Sequence, residues 1–487
     1  MIKNEHFLAV AESLKPELYE TEYIPQNNGY RQAGLKKGDA LRLDFGTHLT
    51  GYVTLRFGYQ GAHPDAPAWV RLKFAERECE LSDQSDVSKI TLSTSWIQWE
   101  QLHIDVLPST IKLHRRYAFR YLELEVLDTG PRFQLTLEDA RCTAVTSADE
   151  SALLPYASEP RLEALDAAAC LTLRECMQDV FEDGPKRDRR LWLGDLRLQA
   201  LANYETYRNF DLVKRCLYLF AGDLLEDGRV GGCLYTRPRI EVDAMRMFDY
   251  PLLFIPTLLD YYNATGDTET LRELAPVAFR QVALANQCFD AQELSRESEQ
   301  MGWCFVDWAN GLDKQASAQG IYLYSLKAAI QIADLLEDAA LSSLFRDHYT
   351  RKHSAAELLW DEEKQFYISG PEKQISWASQ VWLTLGGAAH GSPELLARLK
   401  NSDALPMVTP YMYHNYVDAL LSVGAREEAY RVLTGYWGGM LDEGADTFWE
   451  LYNPENPDES PYGGTIINSY CHAWSCAPAY FLRKFFA

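Results

Sequence analysis

Two different rhythms of apolar and polar positions divide the chain near residue 150. Before it, short runs alternate apolar and polar residues: Ala40–Phe45, Gly51–Phe57, Trp69–Ala75, Gln98–Val106, Tyr121–Val126 and Phe133–Glu138. Gly, Pro and Asp break these runs at Gly46, between Gly61 and Pro67, and between Asp128 and Pro131. Successive side chains of a strand point to opposite faces, so a period of two predicts strands buried on one side, here an antiparallel β-sandwich. After about Leu153 the apolar positions recur every three or four residues, the signature of amphipathic helices. Helices are predicted over 162–179, 193–208, 213–225, 250–262, 269–288, 316–336, 339–359, 377–385, 393–399, 411–423, 426–436 and 468–486. The joins are punctuated by Gly and Pro, as at Gly266 and Gly391-Ser392-Pro393.

About twelve helices in consecutive hairpins suggest an (α/α)6 barrel, six helices inside six. The same periodicity fits an α-solenoid, but no fixed sequence repeat is visible, which weighs against it. The expected class is therefore α+β multidomain, with a β-sandwich over residues 1–152 and an (α/α)6-barrel domain over 153–487. A chain of 487 residues suits two such cores. In a barrel of this kind the loops at one end of the inner helices form the pocket, so acidic and aromatic loops are where chemistry is sought.

The net charge is −23 and no Lys/Arg run is long enough to form a basic patch, which argues against nucleic acid or an anionic membrane as partner. No stretch of about 18 apolar residues is present. The first residues carry neither a basic nor an apolar segment of signal-peptide type. The ten cysteines show no CxxC pair and no zinc spacing; Cys471 and Cys476 beside His472 are not a structural zinc set. Reduced thiols without an export signal lead to a cytoplasmic expectation, with no metal and no cofactor. No phosphate loop, dinucleotide fingerprint, serine elbow or HExxH occurs. The 12 Trp and 28 Tyr suit stacking on sugar rings as well as a core. Nothing in the sequence fixes oligomeric state, although pairing of sheet edges offers a route to a homodimer.

One stretch concentrates chemistry. In Phe181-Glu182-Asp183-Gly184-Pro185-Lys186-Arg187-Asp188-Arg189-Arg190, seven of ten residues are ionisable, and Leu191-Trp192-Leu193-Gly194-Asp195 follows. Gly184-Pro185 does not continue a helix, so this reads as a loop between helices. Acid–base cleavage of an acetal needs two carboxylates flanking the bond, with their pKa values driven apart by different surroundings. Arginines beside some carboxylates and apolar Trp192 beside others fit that need; a solvated charge run fits the composition too.

The loop DGPKRDRRLWLGD resembles the DCPxRDERxGWxGD loop of glycoside hydrolase family 78, the α-L-rhamnosidases, and more closely a small two-domain variant with a DGxKRDR-type loop. Four further segments resemble the family in order: Phe248-Asp249-Tyr250 followed by the helix ending in Thr265-Gly266-Asp267, Val306-Asp307-Trp308, Gly444-Ala445-Asp446-Thr447-Phe448-Trp449-Glu450, and Ser469-Tyr470-Cys471-His472-Ala473-Trp474-Ser475. The resemblance spans roughly residues 155–487, and the preceding sandwich, with Leu43-Asp44-Phe45-Gly46, is also similar.

The resemblance implies a hydrolysis that inverts the anomeric centre: a carboxylic acid of the loop protonates the leaving oxygen, and the Glu of Trp449-Glu450 activates water. It implies Asp188, Glu450 and Asp195 as the catalytic set and Asp183, Arg187, Trp192, Asp307, Trp308, Trp449 and His472 as substrate contacts, the last at the start of an apolar helix Ala473–Phe486. The expected substrate is a small carbohydrate with a terminal α-L-rhamnosyl residue. This sequence departs from the pattern at the family's acid, a Glu. Aligned from the left, Arg189 stands there; aligned from Gly194-Asp195, Asp188 does. Arginine does not deprotonate in proteins, which leaves Asp188 as first candidate and Asp195 as second. Two alternatives remain open: another (α/α)6-barrel carbohydrate enzyme such as an unsaturated uronyl hydrolase, and a sugar-binding protein that has lost its acid. The run Tyr235-Thr236-Arg237-Pro238-Arg239 reads as surface charge or as a contact for an acidic aglycone.

Overall fold

The computed structural model describes residues 1–486. The alternating segment forms seven antiparallel strands: β1 (Tyr19–Tyr23), β2 (Ala40–Gly61), β3 (Ala68–Ala75), β4 (Trp99–Ile104), β5 (Ser109–Lys112), β6 (Tyr117–Asp128) and β7 (Phe133–Thr146). They hydrogen-bond along one path, β1-β7-β2-β6-β3-β4, with β5 also on β2. The two runs around Gly46 are one strand. β2 continues through an irregularity between Asp44 and Leu49, pairing with β6 on both sides of it as far as Gly51 and with β7 and β5 beyond. The inward positions of the alternation (Leu43, Val53, Leu55, Phe57, Leu72, Phe74, Leu122, Leu124) are buried together in a core of their own.

The barrel helices are α2 (Pro160–Cys176), α3 (Leu193–Glu205), α4 (Phe210–Gly222), α5 (Asp249–Thr265), α6 (Thr268–Ala285), α7 (Gln315–Leu335), α8 (Ala339–Ala356), α9 (Trp377–Gly386), α10 (Pro393–Arg398), α11 (Pro410–Ser422), α12 (Arg426–Val432, continued irregularly to Asp442) and α13 (Ala477–Phe485). Alternate helices pack side by side, α3 on α5, α5 on α7, α7 on α9, α9 on α11, and α13 back on α3, which makes the inner ring of six hairpins. Its apolar residues and those of the outer helices form one continuous core, separate from that of the sheet. No helix among the described residues is long and apolar enough to cross a membrane.

Two expectations need correction. The first thirteen residues do not belong to the sheet domain. Residues Glu5–Ser13 form a helix, α1, capped by the Asn4 side chain. Phe7, Val10 and Ala11 share one face of it and join the barrel core. The Phe7 ring meets Tyr218 of α4 edge-on at 5.5 Å, and Ile2–Lys3 pair with Asp223–Leu224. The last helix starts at Ala477 rather than near 468, because the backbone at 469–473 is tied to the neighbouring loops and 473–475 form only a separate 3-10 turn.

Candidate active site

The inner helices present their N-terminal ends to one side, and the pocket opens there. Trp192 and Asp195 stand at the start of α3, Tyr250 at the start of α5 and Tyr411 at the start of α11. Such ends carry unsatisfied N–H groups and the positive pole of the helix dipole, a setting that favours carboxylates.

The acidic loop is a closed hairpin. The Asp183 amide donates to Arg190 O at 3.0 Å, and the Asp183 carboxylate accepts from the amides of Asp188 at 3.3 Å and Arg190 at 3.0 Å. Burial, then the nearby charge of Asp188, push Asp183 up to about 7. The sheet domain grips the hairpin from outside. Lys186 is buried, donates to Glu80 and to Asn468 O at 2.7 Å, and lies 3.8 Å from Glu76. Glu76 in turn faces His48 at 3.0 Å, and Arg116 donates to Glu182 at 2.5 Å. Gly194 lets Tyr250 close on the hairpin's exit, since a Cβ there would lie 2.3 Å from the ring.

Glu450 enters from a second extended segment. Its amide donates to Ser469 O at 3.0 Å, the His472 amide donates to Phe448 O at 2.9 Å, and the Ala473 amide donates to Asp183 O at 2.8 Å. Segments 448–450, 469–473 and the hairpin are thereby fastened to one another. The Glu450 carboxylate receives both terminal nitrogens of Arg187, one at 3.2 Å on Oε1, and the Tyr462 hydroxyl at 2.9 Å. Arg187 is itself fixed by donating Nε–H to Ile467 O at 2.7 Å, with its guanidinium 4.4 Å from the Tyr462 ring centre. Two-pronged Arg–carboxylate contact sets direction as well as charge.

Asp195 and His472 form the third charged element, with Nε2 3.3 Å from Oδ1. Burial raises the Asp195 carboxyl against the pull of His472. Burial alone would lower His472, yet the contact with Asp195 and the charge of Glu450 leave it raised.

Asp183, Arg187, Asp188, Trp192, Asp195, Trp308, Glu450 and His472 all line one pocket. Its other walls are Leu92, Tyr250, Trp303, Phe305, Tyr462 and Trp474. The rings brace each other: Phe305 stacks on Trp474 at 5.9 Å, and Trp308 meets Trp474 edge-on at 5.3 Å. The Trp474 indole donates to Glu450 O at 3.0 Å.

Two expected contacts stand outside this pocket. Asp307 accepts from the amides of Val408 and Thr409 and from the Thr409 hydroxyl, so it anchors the loop that carries Trp308. Trp449 points the other way from Glu450, as neighbours on an extended segment do, and packs under Arg77 at 4.1 Å and against Tyr470. Leu92, Phe305 and Tyr462 were not singled out by sequence. Leu92 and Tyr462 sit in polar, Gly/Ser-containing loops with no periodic signal, while Phe305 is one residue before the Val306-Asp307-Trp308 segment. Among the described residues no group of three or more His, Cys, Asp or Glu is arranged to hold a metal ion.

A six-hairpin barrel with carboxylates and stacked aromatics in a pocket at the inner helix ends suits a carbohydrate-active protein. Residues 13–144 match the model of the glycosyl hydrolase family 78 alpha-rhamnosidase N-terminal domain, and residues 156–485 that of the bacterial alpha-L-rhamnosidase 6 hairpin glycosidase domain. The chain belongs to glycoside hydrolase family 78. It is similar over its whole length to a rhamnosidase from Klebsiella oxytoca solved with rhamnose bound, at 43% identity and a TM-score of 0.94, covering 99% of that chain. A GH78 rhamnosidase of Bacillus sp. GL1 shares the fold at 22% identity and a TM-score of 0.75, over 91% of this chain and 46% of that one. The alpha-L-rhamnosidase of Streptomyces avermitilis, complexed with L-rhamnose, does so at 17% identity and 0.69, over 96% and 44%. No curated protein matches the chain.

Proposed function

We propose that the protein is an inverting exo-glycosidase that releases terminal α-L-rhamnosyl residues from small glycosides or oligosaccharides. Glu450 is the general base. Held by Arg187 and Tyr462, its carboxylate takes a proton from the water that attacks the anomeric carbon. Asp188 is the general acid and gives its proton to the departing oxygen as the glycosidic bond breaks. Solvent then restores both protonation states. Asp195 and His472 hold sugar hydroxyls, Asp183 keeps the hairpin in shape, and the aromatic walls receive the apolar face of the ring.

The observation that carries this reading is the position of Asp188. It lines the sugar pocket together with Glu450 and also lines the wider groove beside it, so it stands where a bond between a pocketed sugar and its leaving group would run. The rhamnose bound in the similar Klebsiella structure supports the substrate class. The ten unpaired cysteines, nine of them buried, suit the reducing cytoplasm.

The test is rhamnose release from a panel of aryl and disaccharide α-L-rhamnosides, followed by proton NMR in the first minutes. β-L-Rhamnose as first product is expected; α-L-rhamnose first would overturn inversion, and no release across the panel would overturn the substrate. A structure with rhamnose bound is expected to place the two carboxyl groups about 6.5–9.5 Å apart, the spacing that admits a water.

A further inference from the structure

The groove beside the sugar pocket has about 1040 Å³ of space and a charge opposite to that of the chain. Five guanidinium groups line it, those of Arg115, Arg116, Arg189, Arg190 and Arg237, against the three carboxylates of Asp179, Glu182 and Asp188. The protein as a whole carries −23. Arg116 is engaged by Glu182 at 2.5 Å, while Arg190 and Arg237 stand 3.9 Å from Asp188 and Asp179. Arg189 has no carboxylate within 4 Å among the described residues; it donates only to the carbonyls of Lys186 at 3.3 Å and Arg116 at 2.8 Å. Burial, reinforced by the charge of Arg116, lowers it to about 10 against the pull of Glu182, which is already paired with Arg116, so it stays charged at neutral pH. A half-buried cation with no carboxylate in contact gains from an anion that arrives to pair with it. The aromatic faces suit a sugar: Trp96 lies 5.9 Å from the Arg189 guanidinium and Tyr235 4.7 Å from that of Arg190.

We infer that this groove is a leaving-group subsite for a carboxylated aglycone, a uronic acid residue that bears the terminal rhamnosyl unit at Asp188. The inference rests on the rhamnosidase reading above and narrows it. Planar guanidinium forks match a carboxylate in two-pronged fashion, and a cluster of them would draw the anion to the mouth despite the protein's overall negative charge. Arg237, with 70% of its side chain exposed, is free to swing onto the substrate, whereas Arg189 is fixed in the floor.

The experiment compares two disaccharides, an α-L-rhamnosyl uronic acid and the same compound with its carboxyl reduced to the alcohol. The wild type is expected to show kcat/KM higher by about tenfold or more for the acid, one good charge-assisted contact being worth roughly that factor, and the preference should shrink at high salt. In Arg189→Gln and Arg237→Gln the ratio of the two values is expected to fall towards one. Because the ratio is taken within each variant, partial loss of folded protein does not disturb it, and exposed Arg237 serves where Arg189→Gln disturbs the hairpin. Equal turnover of both compounds by the wild type would overturn the inference alone, as would a preference that survives in both variants. No turnover of either would overturn the rhamnosidase reading and the inference with it.

Discussion

The two carboxylates assigned to opposite ends of the reaction are held in opposite ways. Glu450 has 6% of its side chain exposed and is gripped by a guanidinium and a phenol. Asp188 has 24% exposed, and its nearest cation is Arg190, at 3.9 Å. The difference suits the roles. A base must aim one lone pair at one water, so fixed orientation is worth more than access. An acid must recover its proton from solvent after each turnover and meet leaving groups of differing shape, so access is worth more than fixation. The same contrast runs through the architecture. Glu450 sits on segments cross-bonded inside the barrel, and Asp188 on the outer turn of a hairpin gripped by the sheet domain through Lys186 and Glu182.

The largest effect is expected from Glu450→Gln, which keeps the shape and removes the base: kcat falls on the order of 10³-fold for every rhamnoside, and the melting temperature falls too, because buried Arg187 loses its counter-charge. Activity near wild type in that variant would break the assignment. Asp188→Asn is expected to cost about 10²-fold on disaccharides and much less on aryl rhamnosides, whose phenolate leaves without a proton. The measurement is the ratio of the two losses; equal losses would remove Asp188 from the acid role and turn attention to Asp195.

The periodicity that marks the barrel survives in the structure because packing against the core imposes it: the termini of α3, α5, α7 and α11 fall within a few residues of the sequence reading. It misled at residues 468–476, where the apolar pattern runs on but the backbone bonds to residues 448–450 and to Asp183 instead. Within the site, the hairpin was legible because carboxylates, arginines and Trp cluster in sequence, whereas Glu450 was reached only through the resemblance of its segment to the family. Trp449 was misread for a simple reason: adjacency in sequence means opposite faces on an extended segment. Tyr462 was invisible, since nothing local places it. Its loop is brought to Glu450 by Asp83, which accepts from the Thr465 hydroxyl and the Ile466 amide, and by the amide of Thr91, which donates to Tyr462 O. Those are contacts between the two domains, and one sequence carries no direct sign of them.

The hairpin that carries Asp188 has a pH signature of its own. Asp183 in the folded protein is raised to about 7 from an ordinary value near 3.8. Between those values the folded state holds a proton that the unfolded chain has released, so stability is highest at the acid end and falls as pH rises towards 7. Melting temperatures between pH 4.5 and 8 are therefore expected to contain a downward component of about a few degrees that disappears in Asp183→Asn. An unchanged slope in that variant would show that the pH dependence comes from another group.

The smallest effect sharpens the contrast most. Tyr462→Phe removes one neutral donor from Glu450 and leaves Arg187 in place. A single hydrogen bond of this kind is worth about 1 kcal/mol, so kcat is expected to fall roughly fivefold with KM nearly constant. What matters is how that fall depends on substrate. A phenol that orients the base acts on the attacking water, which is the same for every glycoside, so the loss should be equal for aryl rhamnosides and disaccharides. Asp188→Asn should separate those two classes. If the Tyr462 effect also tracked the leaving group, the phenol would belong to the acid's side of the bond, and the division between a fixed base and an accessible acid would fail.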